Sequence, residues 1–264
     1  MNTFFADVVR NEIIAYDTNH ITFSANLDLQ FSAGQFFNLK LQNPDKTSKI
    51  QFILRGYSVA SSPQKLPIFE LCVKIVKYFE KNEHTGENIG EEKKGIGSGF
   101  LEKLKKGDRV EFLGPFGHFT KKNKAKKTVM LATGTGIAPM RAICEELSEE
   151  GFVTKTVLLY GVSNAKFACY SSFFQNLANL HKNFEYVLFI SRETDEEIRK
   201  VEELKIVENI VSGRITKGVE DLSVEECVNT DFLICGNPAM VKQVRGILRQ
   251  EKNVEKSDIV TEQY

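Results

Sequence analysis

Tryptophan is absent from the 264 residues, and no apolar run approaches a membrane span, each being broken within six or seven residues. Cysteine is sparse. Cys72, Cys144, Cys169, Cys227 and Cys235 are an odd number and contain no C-x-x-C pair. That pattern offers no basis for a disulfide framework, a zinc site or an iron–sulfur cluster. The four histidines stand apart from one another and from any cysteine pair, so no metal is expected. An excess of charge is also missing: 35 Lys and Arg balance 35 Asp and Glu, which argues against a nucleic-acid binder. The opening MNTFFADVVRNE has no basic n-region and reaches Asp7 and Arg10 too early for a signal peptide. A cytoplasmic chain without a membrane span is the expectation, and the sequence shows neither an internal repeat nor a low-complexity segment.

What is present is ample core material. Hydrophobic residues make up 42% of the chain, with 20 Phe, which excludes a disordered or fibrous polymer. The length suits one large domain or two ordinary ones. The neutral total hides an asymmetry. Residues 1–127 carry 20 Lys and Arg against 14 Asp and Glu, whereas residues 128–264 carry 15 against 21. Opposite signs in the two halves point to two domains and a polarised surface.

Organisation along the chain agrees. Thr3–Ile14, Ile21–Leu27, Gln35–Leu41, Ile68–Val76 and Arg109–Leu113 mix β-branched and aromatic residues and are separated by turn signals such as Asn43-Pro44-Asp45. They predict an antiparallel β-barrel over residues 1–120. The charged stretch Glu80–Lys94 reads as a surface loop. Lys121–Lys127 (KKNKAKK) is a basic linker. Beyond it, strands at Thr128–Ala132, Thr156–Tyr160, Tyr186–Ile190 and Asp231–Cys235 alternate with helices at Pro139–Glu150, Lys166–His181 and Ala239–Gln250. This alternation predicts βαβ units around a parallel sheet in residues 128–264.

Two glycine-rich turns fall at strand ends in the second half. Thr133-Gly134-Thr135-Gly136-Ile137-Ala138-Pro139 lets the backbone approach a ligand, and the free N–H groups at the following helix start suit a pyrophosphate. Pro139 replaces the third glycine of G-x-G-x-x-G, and no Gly-Lys-[Ser/Thr] follows, so neither dinucleotide fingerprint nor Walker loop is complete. Cys235-Gly236-Asn237-Pro238-Ala239-Met240 is the second turn. Read alone, its cysteine is a small core residue. In the first half, Arg55-Gly56-Tyr57-Ser58-Val59-Ala60-Ser61 joins an arginine, a ring and hydroxyls, which suits a ligand with phosphate and a flat ring system. Gly95-Ile96-Gly97-Ser98-Gly99 reads as the start of a short helix capped by Ser98, another anion site.

Taken in order, Arg55-x-Tyr57-Ser58-x-x-Ser61, Gly95-x-x-Ser98-x-x-Leu101, Gly114-Pro115-x-Gly117-x-Phe119, Gly134-x-Gly136-Ile137-Ala138-Pro139 and Cys235-Gly236-Asn237-Pro238-x-Met240 resemble the ferredoxin/flavodoxin–NADP+ reductase family across essentially the whole chain. The resemblance implies an FAD-binding barrel (1–120), the linker (121–127) and an NADP(H)-binding α/β domain (128–264). It implies FAD held by Arg55, Tyr57, Ser58, Ser61, Gly97, Ser98 and Gly99, with Tyr57 stacked on the isoalloxazine and Ser58 near flavin N5. Thr133, Gly134, Thr135 and Gly136 would cradle the NADP(H) pyrophosphate, with Cys235 beside the nicotinamide and Gly236 and Met240 also binding NADP(H). Glu262-x-Tyr264 resembles an acidic–x–aromatic ending in which the ring covers the flavin and the Glu joins a Ser–Cys–Glu cluster. That makes Ser58, Cys235, Glu262 and Tyr264 the implied catalytic set. Ser191-Arg192 and, further along, Arg214 resemble the residues that hold the 2′-phosphate, although the charged interval Thr194–Glu208 lengthens their spacing.

The activity so implied is hydride transfer between NADP(H) and FAD, coupled to single-electron exchange with a separate acidic carrier, ferredoxin or flavodoxin, by a monomer or weak dimer. The alternatives are an NADH-dependent flavin reductase or electron-transfer subunit of a larger complex, and a non-catalytic nucleotide-binding module on the same fold.

Overall fold

The computed structural model describes residues 2–25, 29–82, 85–122, 127–203 and 206–264. In the first half, the strands are β1 (Asn2–Ala15), β2 (Thr18–Ala25), β3 (Phe36–Gln42), β4 (Phe52–Ser58), β5 (Ile68–Lys74), β6 (Lys77–Lys81), β7 (Asn88–Lys94) and β8 (Arg109–Phe116), with helix α1 (Ile96–Glu102) between β7 and β8. Six of them form one antiparallel sheet ordered β4-β3-β8-β1-β2-β5. A bridge between Val59, just past β4, and Leu71 of β5 joins the two ends of that order, so the sheet curls into a barrel.

Alternation dictates which face turns inward. In β3, Phe37, Leu39 and Leu41 are buried while Asn38 and Lys40 lie between them, half-buried. Phenylalanine fills the core in place of the missing tryptophan. Phe4 meets Phe37 edge-on at 5.0 Å, and Phe23 stacks on Phe69 at 5.1 Å. Such pairs add about 0.5–1.5 kcal/mol each beyond the area they bury.

In the second half, β9 (Lys127–Thr133), α2 (Ile137–Glu149), β10 (Lys155–Val162), α3 (Ser171–Leu180), β11 (Phe184–Ile190), α4 (Asp195–Glu203), β12 (Ile210–Ser212), α5 (Thr216–Glu220), α6 (Val224–Cys227), β13 (Thr230–Gly236), α7 (Pro238–Gln250) and β14 (Ile259–Gln263) follow in order. The sheet is wholly parallel, β12-β11-β10-β9-β13-β14. Residues of α2 and α3 pack on one face and residues of α5 and α7 on the other. Strand order reverses between β9 and β13, the place where an open parallel sheet leaves a crevice for ligands.

Three sequence readings need correction. Residues 80–94 are not a plain loop: β6 and β7 form a separate two-stranded hairpin, all of whose described strand residues are exposed. With no buried face, nothing in the sequence alternates. The helix expected from Lys166 begins at Ser171, after a 3-10 turn at Ala165–Phe167; the charged interval after Arg192 in addition holds helix α4. Ser98 does not cap α1; Gly95 occupies that position without a side-chain cap, and Ser98 lies inside the helix. The linker reading falls partly on residues 123–126, outside the described residues. Among the described residues no helix is long and apolar enough to cross a membrane.

Candidate functional site

The carboxyl ends of the parallel strands build the first cleft, of about 490 Å³. Thr133 and Gly134 come from the end of β9, Gly161 and Val162 from β10, Ser191 and Arg192 from beyond β11, Arg214 from beyond β12, and Asn237 and Met240 from the β13–α7 turn. Gly134 has φ +53°, in the left-handed region, and a side chain there would meet the Tyr264 hydroxyl at 2.8 Å. Arg192 and Arg214 both stand on this cleft, exposed, and no ion pair engages either guanidinium among the described residues. The Ser191 hydroxyl donates to Val162 O at 3.3 Å.

The second cleft, of about 480 Å³, lies between the domains. Strand β4 supplies Arg55, Tyr57 and Ser58; the first turn of α1 supplies Gly97 and Ser98; the α/β half closes it with Thr135, Ala138 and Tyr264. Burial pushes the Tyr57 hydroxyl up to about 12, against the pull of Arg55. A Cβ on Gly97 would come 2.6 Å from that hydroxyl, so only glycine leaves the cradle open.

Beside the second cleft, three side chains from distant segments converge. Ser58 Oγ donates to Glu262 Oε1 at 2.9 Å, and Cys235 Sγ lies 4.0 Å from the same oxygen. Parallel pairing of β13 with β14 sets Cys235 directly opposite Glu262. Burial raises the Glu262 carboxyl above its ordinary range, and the Ser58 bond draws it back. Burial, with Glu262 alongside, raises the Cys235 thiol well above its ordinary value, so it stays protonated. Tyr264 Oη donates to Thr133 O at 2.6 Å and accepts from Gly136 N at 3.2 Å.

Several residues implied by the resemblance sit elsewhere or have their polar groups already engaged. Ser61 is fully buried, its hydroxyl accepting from Glu70 N at 3.0 Å, and forms no wall of the cleft. Gly99 donates its N–H to Gly95 O at 2.7 Å inside α1 and has none to offer an anion. Ser98 Oγ accepts from Val76 N at 3.1 Å. Thr135 faces the second cleft rather than the first, and the Gly136 N–H is engaged by Tyr264. Gly236 and Cys235 lie beneath the first cleft, where a Cβ on Gly236 would strike Thr133 Oγ1 at 2.1 Å. Sequence reasoning missed Lys74, which lines both clefts, and Tyr78, which lines the second. A single lysine at a strand end carries no sequence signal.

Donor chemistry fits two organic cofactors. A cleft with facing tyrosines, an arginine and a bare glycine suits a flat ring with phosphates. A cleft of strand ends, a positive-φ glycine and two unengaged guanidiniums suits a dinucleotide. Fold and site together define a two-domain oxidoreductase that joins a flavin to a pyridine nucleotide. Residues 6–121 match the oxidoreductase FAD-binding domain and residues 130–246 the oxidoreductase NAD-binding domain. Together the two matches make the chain a two-domain FAD- and NAD-binding oxidoreductase.

Among its relatives, it is 29% identical over 170 residues to the phenol 2-monooxygenase reductase component DmpP of Pseudomonas sp. strain CF600, covering 64% of this chain and 42% of that one. It is 28% identical to one component of the Na(+)-translocating NADH-quinone reductase of Actinobacillus pleuropneumoniae, covering 81% of this chain and 49% of that one. The chain thus spans about half the length of these relatives. The structure of a ferredoxin NADP+ reductase from Neisseria gonorrhoeae with bound FAD and NADP superposes with a TM-score of 0.72 at 21% identity, covering 100% of this chain and 99% of that one.

Proposed function

We propose that this chain moves a hydride between NADP(H) and FAD and exchanges single electrons with a separate carrier, ferredoxin or flavodoxin. The observation that supports it most is the Ser58–Glu262–Cys235 cluster, which ties Ser58 of the second cleft to the end of β13, whose turn into α7 lines the first. Bound FAD supplies a hydride acceptor that can release its electrons one at a time.

In this reading residues 1–120 carry the flavin, with Arg55, Gly97 and Ser98 on its diphosphate and Tyr57 and Tyr264 on its ring. Residues 128–264 carry the nucleotide, with Gly134 and Lys74 near its pyrophosphate and Ser191, Arg192 and Arg214 at its 2′-phosphate. Glu262 fixes the Ser58 hydroxyl, and the neutral Cys235 thiol shapes the floor on which the nicotinamide rests. Because Tyr264 holds the Gly136 N–H, a dinucleotide phosphate can use that amide only after the tyrosine moves.

The basic excess of residues 1–127 favours docking of an acidic carrier on the flavin half. Lys121 contributes little to such steering, because it is paired with Glu150 at 2.6 Å and Glu146 at 3.4 Å. A second reading, an NADH-dependent reductase working within a larger complex, is favoured by the names and greater lengths of the relatives. The two unengaged arginines favour NADPH. The test is reduction of the purified yellow protein by NADPH and by NADH, with ferredoxin and flavodoxin offered separately as acceptors. Preference for NADPH with turnover of either carrier supports the first reading, and preference for NADH with neither carrier reduced supports the second. A colourless protein that takes up no FAD overturns both.

A further inference from the structure

The strongest feature outside the two clefts is a buried ionic cluster that crosses the domain boundary. Arg141 lies on α2 just after the helix leaves the Gly134-Thr135-Gly136 loop. Its Nη1 donates to Ala60 O at 2.5 Å and to Glu70 Oε2 at 2.6 Å, both in the flavin half. Nη2 pairs with Glu145 Oε1 at 2.9 Å, one turn along the same helix. The guanidinium also lies over the rings of Tyr170, 4.8 Å from the centroid, and Phe173, 5.2 Å away. Glu145 continues the connection: its Oε2 accepts from Ser62 N at 2.8 Å and its Oε1 from Lys65 Nζ at 2.7 Å.

Helix α2 is therefore bolted at two points, Ala60 and Ser62, to the segment that begins at Ser58. The Ala60 N–H in turn donates to Glu70 O at 2.7 Å, so the partner of Arg141 also anchors that segment. Stability alone is a poor reason for this arrangement. Arg141 Nε is buried with no hydrogen-bond partner, and buried ion pairs are often replaceable by apolar packing without loss. Their better-attested use is to fix register.

We infer that Arg141 is a positioning residue: through Ala60 and Glu70 it holds Ser58 and the flavin cleft in register with the dinucleotide loop at the start of its own helix. The inference rests on the hydride-transfer reading above. One rigid helix then carries both references, the loop at its N-terminus and the flavin segment a turn or two later. An error in their spacing affects the transfer itself more than the binding of either cofactor. A misplacement of about 1 Å in reacting groups costs roughly a hundredfold in rate.

The test is stopped-flow reduction of the holoproteins by NADPH and NADH, giving a limiting rate and a dinucleotide Kd for wild type, Arg141→Lys and Arg141→Met. Arg141→Met is expected to lower the limiting rate by about a hundredfold, with Kd changed by less than about threefold and FAD retained. Arg141→Lys keeps the charge beside Glu70 and Glu145 but lacks the fork that reaches three partners, so it recovers part of the rate. It also keeps the test available if the methionine variant does not fold. Wild-type rates in Arg141→Lys overturn the inference. So does a fall in rate, Kd and FAD content in proportion, the signature of a merely structural residue. A wild-type holoprotein that neither nucleotide reduces overturns the hydride-transfer reading and this inference with it.

Discussion

The two clefts are nearly equal in volume, about 480 and 490 Å³, and Lys74 lines both, yet they are built from different material. The second cleft, the one proposed for flavin, is lined by Arg55, Tyr57, Ser58 and Tyr78 from strands of the first domain and by Ser98 of α1, and is closed by Tyr264 of the other domain. The first cleft, the one proposed for the dinucleotide, lies at the ends of parallel strands and their glycine turns, with Arg192 and Arg214 among its lining residues. Ring-shaped ligands are recognised by aromatic and apolar walls, whereas phosphates are recognised by N–H groups and cations. The flavin cleft therefore depends on the domain interface, and the dinucleotide cleft depends chiefly on one sheet.

That contrast can be broken at its junction first. Ser58→Ala removes the hydroxyl that joins the clefts while leaving the walls of both. Flavin reduction in stopped flow is expected to slow by about 10²–10⁴-fold, the usual span for a positioned proton-handling group, with FAD still bound. Removal of both rim guanidiniums, Arg192→Ala with Arg214→Ala, should lower kcat/KM for NADPH by roughly a hundredfold or more, since each charge-assisted bond contributes about 1.5–3 kcal/mol. The constant for NADH should stay nearly unchanged; equal losses for the two nucleotides would show that the rim reads no 2′-phosphate.

Gly97→Ala sharpens the other side of the comparison. Its Cβ meets the Tyr57 hydroxyl at 2.6 Å and Arg55 Cγ at 3.0 Å, so FAD affinity, measured by fluorescence titration, should weaken by about tenfold. Dinucleotide affinity should hold.

The smallest effect concerns pH. Burial alone would raise the Glu70 carboxyl, but the bond to His20 and the Arg141 guanidinium hold it at about 2, below its ordinary 4.5. A depressed folded value means that the unfolded chain binds the proton first as pH falls. The stabilisation is complete above about 4.5 and is lost between there and about 2. Melting temperatures across that window should fall less steeply in Glu70→Gln, and an unchanged slope would remove this residue from the acid response.

How much of this was legible follows the same division. Buried parallel strands such as Val129–Ala132 read as apolar runs, and the glycine turns after β9 and β13 stand out because backbone approach demands them. The hairpin of β6 and β7 left no pattern because neither face is covered. Helix α4 was hidden in a charged stretch, where Ile198 is its buried described side chain. Ser61 and Gly99 are not among the residues that line either cleft, since a motif gives residue types in order and not the direction in which each points. Lys74, Tyr78, Glu70 and Arg141 take their roles from tertiary neighbours distant in sequence, and no local pattern marks them.

In the proposed reading a hydride passes between the two clefts under the control of Ser58. Single-turnover reduction of the FAD-loaded protein by NADPH, light and deuterated at C4, tests it most directly. Rapid bleaching of the flavin with a primary isotope effect is expected, as is a strongly slowed reaction that keeps the isotope effect in Ser58→Ala. Flavin that stays oxidised under excess NADPH and NADH, or an unslowed Ser58→Ala, would contradict it.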